Sequence, residues 1–138
     1  MSQENVERLK EAYELVNTEF EALKRGELDA LLAFFDPEVV IEYVDAPDPE
    51  RYVGHEGVRK WFHDSFGVWE SVFMEAEEFI EVGDWTVVQL RGRVRGEKSG
   101  AELEVRLTAT HRFRDGKIVH DRVYLDRDQA LEAAGLRE

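Results

Sequence analysis

The sequence predicts an α+β domain in which helices cover one face of a single, mainly antiparallel sheet. Three observations carry that expectation. Apolar residues recur at three- and four-residue steps early in the chain, alternating β-branched stretches fill the second half, and tight-turn signals separate those stretches at hairpin spacing. The 138 residues are expected to form one domain, 1–138, large enough to bury a core without staples.

Val6, Leu9, Tyr13, Val16, Phe20 and Leu23 put one apolar stripe on a long first helix, which Gly26 stops. Leu28, Leu31, Leu32 and Phe35 repeat the pattern in a shorter second helix, ended by Asp36 and Pro37. Val39 to Val44 is rich in β-branched residues and reads as a strand with Val39, Ile41 and Tyr43 on one face. Two prolines and dense charge make 45–54 a loop. Val58, Trp61, Phe62, Phe66 and Trp69 then mark a third helix whose aromatic side is a candidate pocket wall.

From there the pattern is of strands. Val72 to Val82 and Trp85 to Arg95 flank a Gly83–Asp84 turn, and Leu103 to Arg114 leads into a further hairpin. Gln129 to Ala134 reads as a short terminal helix stopped by Gly135. A strongly curved sheet of this kind would enclose a cavity between its concave side and the helices.

The chemistry concentrates in HRFRDGKIVHDRVYLD, from His111 to Asp126. A three-residue loop of Arg114, Asp115 and Gly116 would set Phe113 opposite Lys117 and make His111 and Asp121 diagonal neighbours on one face. A two-residue Asp115–Gly116 loop would instead put His111 opposite His120 and mix apolar with polar positions, so the longer loop is preferred. That face is otherwise apolar, with Leu103, Val105, Leu107, Ala109 and Phe113 on one strand and Val119, Val123 and Leu125 on the other.

A carboxylate interrupting such a face must be paired, hydrated in a cavity or neutral, because burying it alone costs several kcal/mol. Asp121 is therefore either a pocket acid/base or half of an ion pair that fixes register. His111, whose ordinary pKa of about 6.5 lies in the working range, would orient Asp121 or transfer a proton itself, or else be a satisfied core residue. Tyr43 either offers a phenol to a substrate carbonyl or serves packing alone. Tyr13, Phe35, Trp61, Phe62, Phe66, Leu107 and Ala109 are candidate walls for a flat or cyclic ligand, and Glu19 is either a pocket acid or a solvated helix flank.

Composition narrows the alternatives. The chain has no cysteine, and 31 acidic against 18 basic residues leave a formal charge of −13, which repels phosphate backbones and anionic lipid. Nucleic acid and membrane are poor partners, and no apolar run approaches the roughly 18 residues that span a bilayer. A cytoplasmic protein is the expectation. Arg91, Arg93 and Arg95 form a local basic row, read as solvated or in contact with another subunit. No phosphate loop or clustered metal-ligand set is evident, so neither a cofactor nor a metal is expected.

The stretches EALKRGELDALLAFFDPEVVIE, GHEGVRKWF and FRDGKIVHDRVYLDRDQALEAAGL resemble the SnoaL-like polyketide cyclase branch of the nuclear transport factor two-like superfamily, which also contains ketosteroid isomerase. The resemblance implies a cystatin-like α+β roll. In it a cone-shaped, strongly curved sheet wraps around three N-terminal helices, with a pocket at the open end and often a homodimer through the convex face. It also implies an acid/base aspartate on the last strand with a histidine nearby, places that Asp121 and His111 fill. The ketosteroid isomerase positions fall on Tyr43, Glu19 and Ala109, which do not match that enzyme's base, tyrosine and second aspartate. The expected function is a cofactor-independent acid/base enzyme of cyclase, isomerase or lyase type acting on a small apolar carbonyl compound. The alternative is a non-catalytic ligand-binding or dimerisation module.

Overall fold

A computed structural model describes residues 2–45, 50–125 and 130. The chain opens with helix α1 (Ser2–Thr18), continues through short α2 (Phe20–Lys24) and α3 (Asp29–Leu32), and enters strand β1 (Phe35–Tyr43). Strand β2 (Arg51–Val53), helix α4 (Gly54–Phe66) and strands β3 (Trp69–Val82), β4 (Trp85–Gly96), β5 (Glu102–Arg114) and β6 (Lys117–Tyr124) follow. One six-stranded sheet runs β2-β1-β6-β5-β4-β3, antiparallel except where β1 meets β6. This is the expected α+β class, a curved sheet with helices on its concave side.

The apolar stripes do the packing. Leu9, Val16, Phe20 and Leu23 from the first helices meet Val58 and Phe62 of α4 and Val72, Val88, Leu90 and Ala109 of the sheet in one core. Asn17 ties α1 to β3 by donating to the Met74 carbonyl at 2.8 Å and accepting from its N–H at 2.7 Å. Curvature has a local source. The ladders slip at Glu77 in β3, between Ala76 and Glu78, and at Val119 in β6, between Ile118 and His120, and such bulges bend and twist a strand.

Several expected boundaries differ. The long first helix breaks at Glu19, whose backbone leaves helical geometry at φ −116°, so α1 and α2 are separate segments. Phe35 belongs to β1 instead of the second helix, which is only four residues long. The strand tolerates Pro37 because its ladder with β6 is interrupted between Phe35 and Val40, where no N–H is required. The loop expected over 45–54 contains β2, a three-residue strand too short to show a period. It pairs Tyr52 with Ile41. Trp69 starts β3 and does not end α4. Leu103 and Leu125, expected inside, are 52% and 60% exposed at strand ends where apolar alternation continues but cover does not.

The last hairpin carries the main correction. Its loop is the shorter one: Arg114 pairs with Lys117, and Asp115 and Gly116 both adopt positive φ (54° and 79°), as a type I′ turn demands. The register is then shifted by a bulge, because Phe113 pairs with Ile118 while Arg112 pairs with His120, leaving Val119 unpaired. His111 consequently stands directly opposite Asp121, not diagonal to it. Ile118, at 3% exposure, fills the apolar position expected for Val119. The terminal helix expected over 129–134 lies, except for buried Ala130, outside the described residues.

Among the described residues no helix is long and apolar enough to cross a membrane. Arg91 lies between Glu75 at 3.2 Å and Glu77 at 3.6 Å, and Arg95 reaches Glu102 at 2.6 Å, so these arginines sit in a solvated network of ion pairs.

Candidate active site

The hairpin and α1 together build the site. β5 supplies His111 and β6 supplies Asp121, both about 95% buried in side-by-side positions, and Asp121 is flanked on its other side by Ile41 of β1. His111 Nδ1 hydrogen-bonds Asp121 Oδ1. On the opposite edge of the ring, Nε2 lies 2.7 Å from the hydroxyl of Tyr13, which α1 brings down onto the sheet. With the ring neutral, Nδ1 donates to the carboxylate and Nε2 accepts from the phenol, so Asp121, His111 and Tyr13 form one hydrogen-bonded file.

The Tyr13 ring is partly exposed but its hydroxyl end points inward. Loss of hydration, and then the nearby Asp121 charge, push its pKa well above the ordinary 10.0, so it stays a protonated donor. Tyr43 occupies a second polar position. Its oxygen accepts from Trp61 Nε1 at 3.0 Å and shares a short hydrogen bond with Ser65 Oγ. Burial raises the Tyr43 pKa, and those two hydrogen bonds oppose the rise. When Ser65 donates, the Tyr43 oxygen accepts twice and its own hydrogen remains for a ligand.

These groups share a cavity of about 100 Å³. Tyr13, Tyr43, His111 and Asp121 line it together with the ring walls Phe35, Trp61 and Phe66. Leu107 and Ala109 line it as well. Two candidates lie elsewhere. Phe62 is 3% exposed and packs against Phe20 and Phe66 in the core, and Glu19 is exposed at the break between α1 and α2, clear of the cavity.

Ile118, Met74 and Leu90 are among the further apolar residues of the wall that the sequence does not mark as pocket residues, since nothing but apolarity distinguishes them. Ser65 was also missed, for its part depends on Tyr43, 22 positions away. A larger depression of about 780 Å³ beside Arg8, Glu14 and Phe34 is open, and every residue lining it is at least partly exposed.

His55 Nε2 donates to the Phe35 carbonyl at the start of β1 at 3.0 Å, and His63 is exposed. Among the described residues no group of three His, Asp or Glu side chains is placed to hold a metal ion. What the site offers is a buried carboxylate, an imidazole fixed by it, two phenols and apolar walls, a set suited to moving one proton in a dry pocket.

Comparison with known proteins agrees with this architecture. The chain resembles in fold an NTF2-like protein from Burkholderia pseudomallei, with 21% identity, TM-score 0.70, and coverage of 96% of this chain and 98% of that one. It is similar to TerC, solved with polyporic acid, at 19% identity and TM-score 0.71 over 95% and 98% of the two chains. It is also similar to SalBIII, described as an epoxide hydrolase/cyclase-like enzyme in pyran ring formation in the polyether salinomycin, at 20% identity and TM-score 0.69 over 89% and 91%. No curated protein sequence matches significantly. The SnoaL-like domain model matches residues 16–121, from α1 to Asp121 itself, and the chain therefore belongs to the SnoaL-like domain family.

Proposed function

We propose that the protein is a cofactor-independent acid/base enzyme of cyclase, isomerase or lyase type acting on a small, largely apolar carbonyl compound. The observation that supports it is the Asp121–His111–Tyr13 file on the wall of an otherwise apolar cavity. Asp121 takes a proton next to the carbonyl through Oδ2, the oxygen that His111 leaves free. His111 orients the carboxylate and steadies its charge. Tyr43, set by Trp61 and Ser65, donates to the developing oxyanion. Two fold relatives, one solved with polyporic acid and one tied to pyran ring formation, support a small cyclic ligand. A homodimer through the convex sheet face, where Phe73 is 49% exposed, belongs to the same proposal, and sedimentation velocity decides it.

The test is solvent deuterium exchange, followed by NMR, on a panel of cyclic ketones and β-diketones. General acid/base help is worth about two to four decades in rate, so Asp121→Asn should lose most of that acceleration while its circular dichroism stays unchanged. Exchange no faster than in buffer across the panel, or full activity in Asp121→Asn, would sink the reading. One observation favours non-catalytic binding instead: about 100 Å³ is smaller than the pockets of roughly 300–1,000 Å³ that hold drug-sized ligands. A co-purified molecule identified by mass spectrometry and left unchanged by the protein would establish that second reading.

A further inference from the structure

We propose that the cavity binds a small alkylated ammonium group, because a buried carboxylate with one unpartnered oxygen stands in an apolar cavity whose wall includes five aromatic rings and no lysine or arginine.

The charge argument comes first. Asp121 is 5% exposed and lines the cavity, and of its two oxygens only Oδ1 has a hydrogen-bond partner among the described residues. A carboxylate held in apolar surroundings by one hydrogen bond lacks the compensation that such burial demands. No lysine or arginine lines the cavity. His111 meets Oδ1 through Nδ1 and turns Nε2 to Tyr13, so Oδ2 is left without a donor from the ring. A cation from outside meets the deficit without disturbing the file.

The walls and the size then specify the cation. Tyr13, Phe35, Tyr43, Trp61 and Phe66 line the space together with aliphatic side chains, and aromatic faces attract alkylated ammonium groups that carry their charge on a greasy surface. Trp61 and Phe66 pack edge to face, with centroids 5.6 Å apart, and both line the cavity. A cavity of about 150 Å³ takes benzene, so one of about 100 Å³ suits a headgroup of roughly four to six heavy atoms. The formal charge of −13 also raises the concentration of cations near the surface.

This inference goes beyond the proton-transfer reading and does not need it. Ammonium binding without turnover would keep the inference and count against the enzyme, and turnover of neutral ketones without ammonium binding would do the reverse. The experiment titrates the purified protein with tetramethylammonium chloride at constant ionic strength, followed by calorimetry and by NMR of the cavity residues. tert-Butanol, of similar shape and uncharged, is the control. Saturable binding at least tenfold tighter for the cation, weakened at least tenfold in Asp121→Asn and several-fold in Trp61→Leu, is the expected result. No shift of cavity signals, equal binding of tert-butanol, or unchanged affinity in folded Asp121→Asn would overturn it. Should Asp121→Asn fail to fold, the tert-butanol comparison and Trp61→Leu decide the matter alone.

Discussion

His111 and Asp121 are direct partners across the β5–β6 ladder, and they meet because Val119 drops out of the pairing. The two-residue turn alone would have set His111 against His120, and one extra residue in β6 restores the carboxylate to the imidazole's side. The pair is thus a product of two local backbone features acting in opposite directions.

Removing one partner should cost more than removing both. His111→Phe leaves Asp121 with no hydrogen bond from the chain, and breaking a buried pair in this way costs about 3–5 kcal/mol. Asp121→Leu leaves an imidazole N–H unsatisfied, at about 1–3 kcal/mol. The double variant His111→Phe/Asp121→Leu should lose clearly less than the sum of the two. Urea denaturation of all four proteins measures the coupling, and additive losses would show that the pair has no mutual dependence.

Tyr13→Phe removes the hydroxyl and keeps the ring. Nε2 of His111 then loses its 2.7 Å partner, so stability should fall by about 0.5–1.5 kcal/mol, the worth of one hydrogen bond. The sharper readout is nitrogen NMR of His111, whose Nε2 resonance should move while Nδ1, still bonded to Asp121, hardly changes. An unmoved Nε2 would mean that the phenol and imidazole are not joined.

How much of this was legible follows from the range of each signal. Asp121 stood out because it breaks an apolar alternation within its own strand, and His111 because the hairpin brings it near. Both signals are local. Tyr13 reads from the sequence as an apolar pocket wall, and its hydrogen bond to His111 is not legible there because the partner lies 98 positions away and only the packing of α1 across the sheet joins them. Phe62 and Phe66 are indistinguishable by periodicity, yet one packs in the core and the other lines the cavity, a difference of rotation about α4 that the alphabet does not carry. The turn was misjudged for a related reason. Patterning reports which residues share a face, and a short turn plus a bulge gives nearly the same faces as a longer turn.

Close packing of α4 on β2 supplies a stability prediction away from the site. A β-carbon on Gly57 would lie 2.8 Å from the carbonyl carbon of Tyr52, which is backbone and unable to swing aside. Gly57→Ala should therefore destabilise the fold by about 1–3 kcal/mol, despite alanine's better helix propensity. An alanine variant with an unchanged denaturation midpoint would show that α4 and β2 separate at little cost.

His120, neighbour of Asp121 but on the other side of the sheet, gives the protein a pH dependence. Its ring packs 5.3 Å from Trp85, and Nε2 is buried without a hydrogen bond, 3.7 Å from Glu42. Burial lowers its pKa below the ordinary 6.5. Arg122 and Arg112 add to that, while Glu42 and Asp121 pull the other way. The unfolded chain thus takes up the His120 proton at a higher pH than the folded one does. Stability is complete above about pH 6.5 and falls as pH drops through that value towards the lower folded one, because protons then favour the unfolded state. The urea midpoint should decrease between pH 7.5 and pH 5.5. His120→Phe keeps a ring on Trp85 and carries no proton, so its midpoint should vary less over the same window. An equally steep fall in that variant would place the titrating group elsewhere.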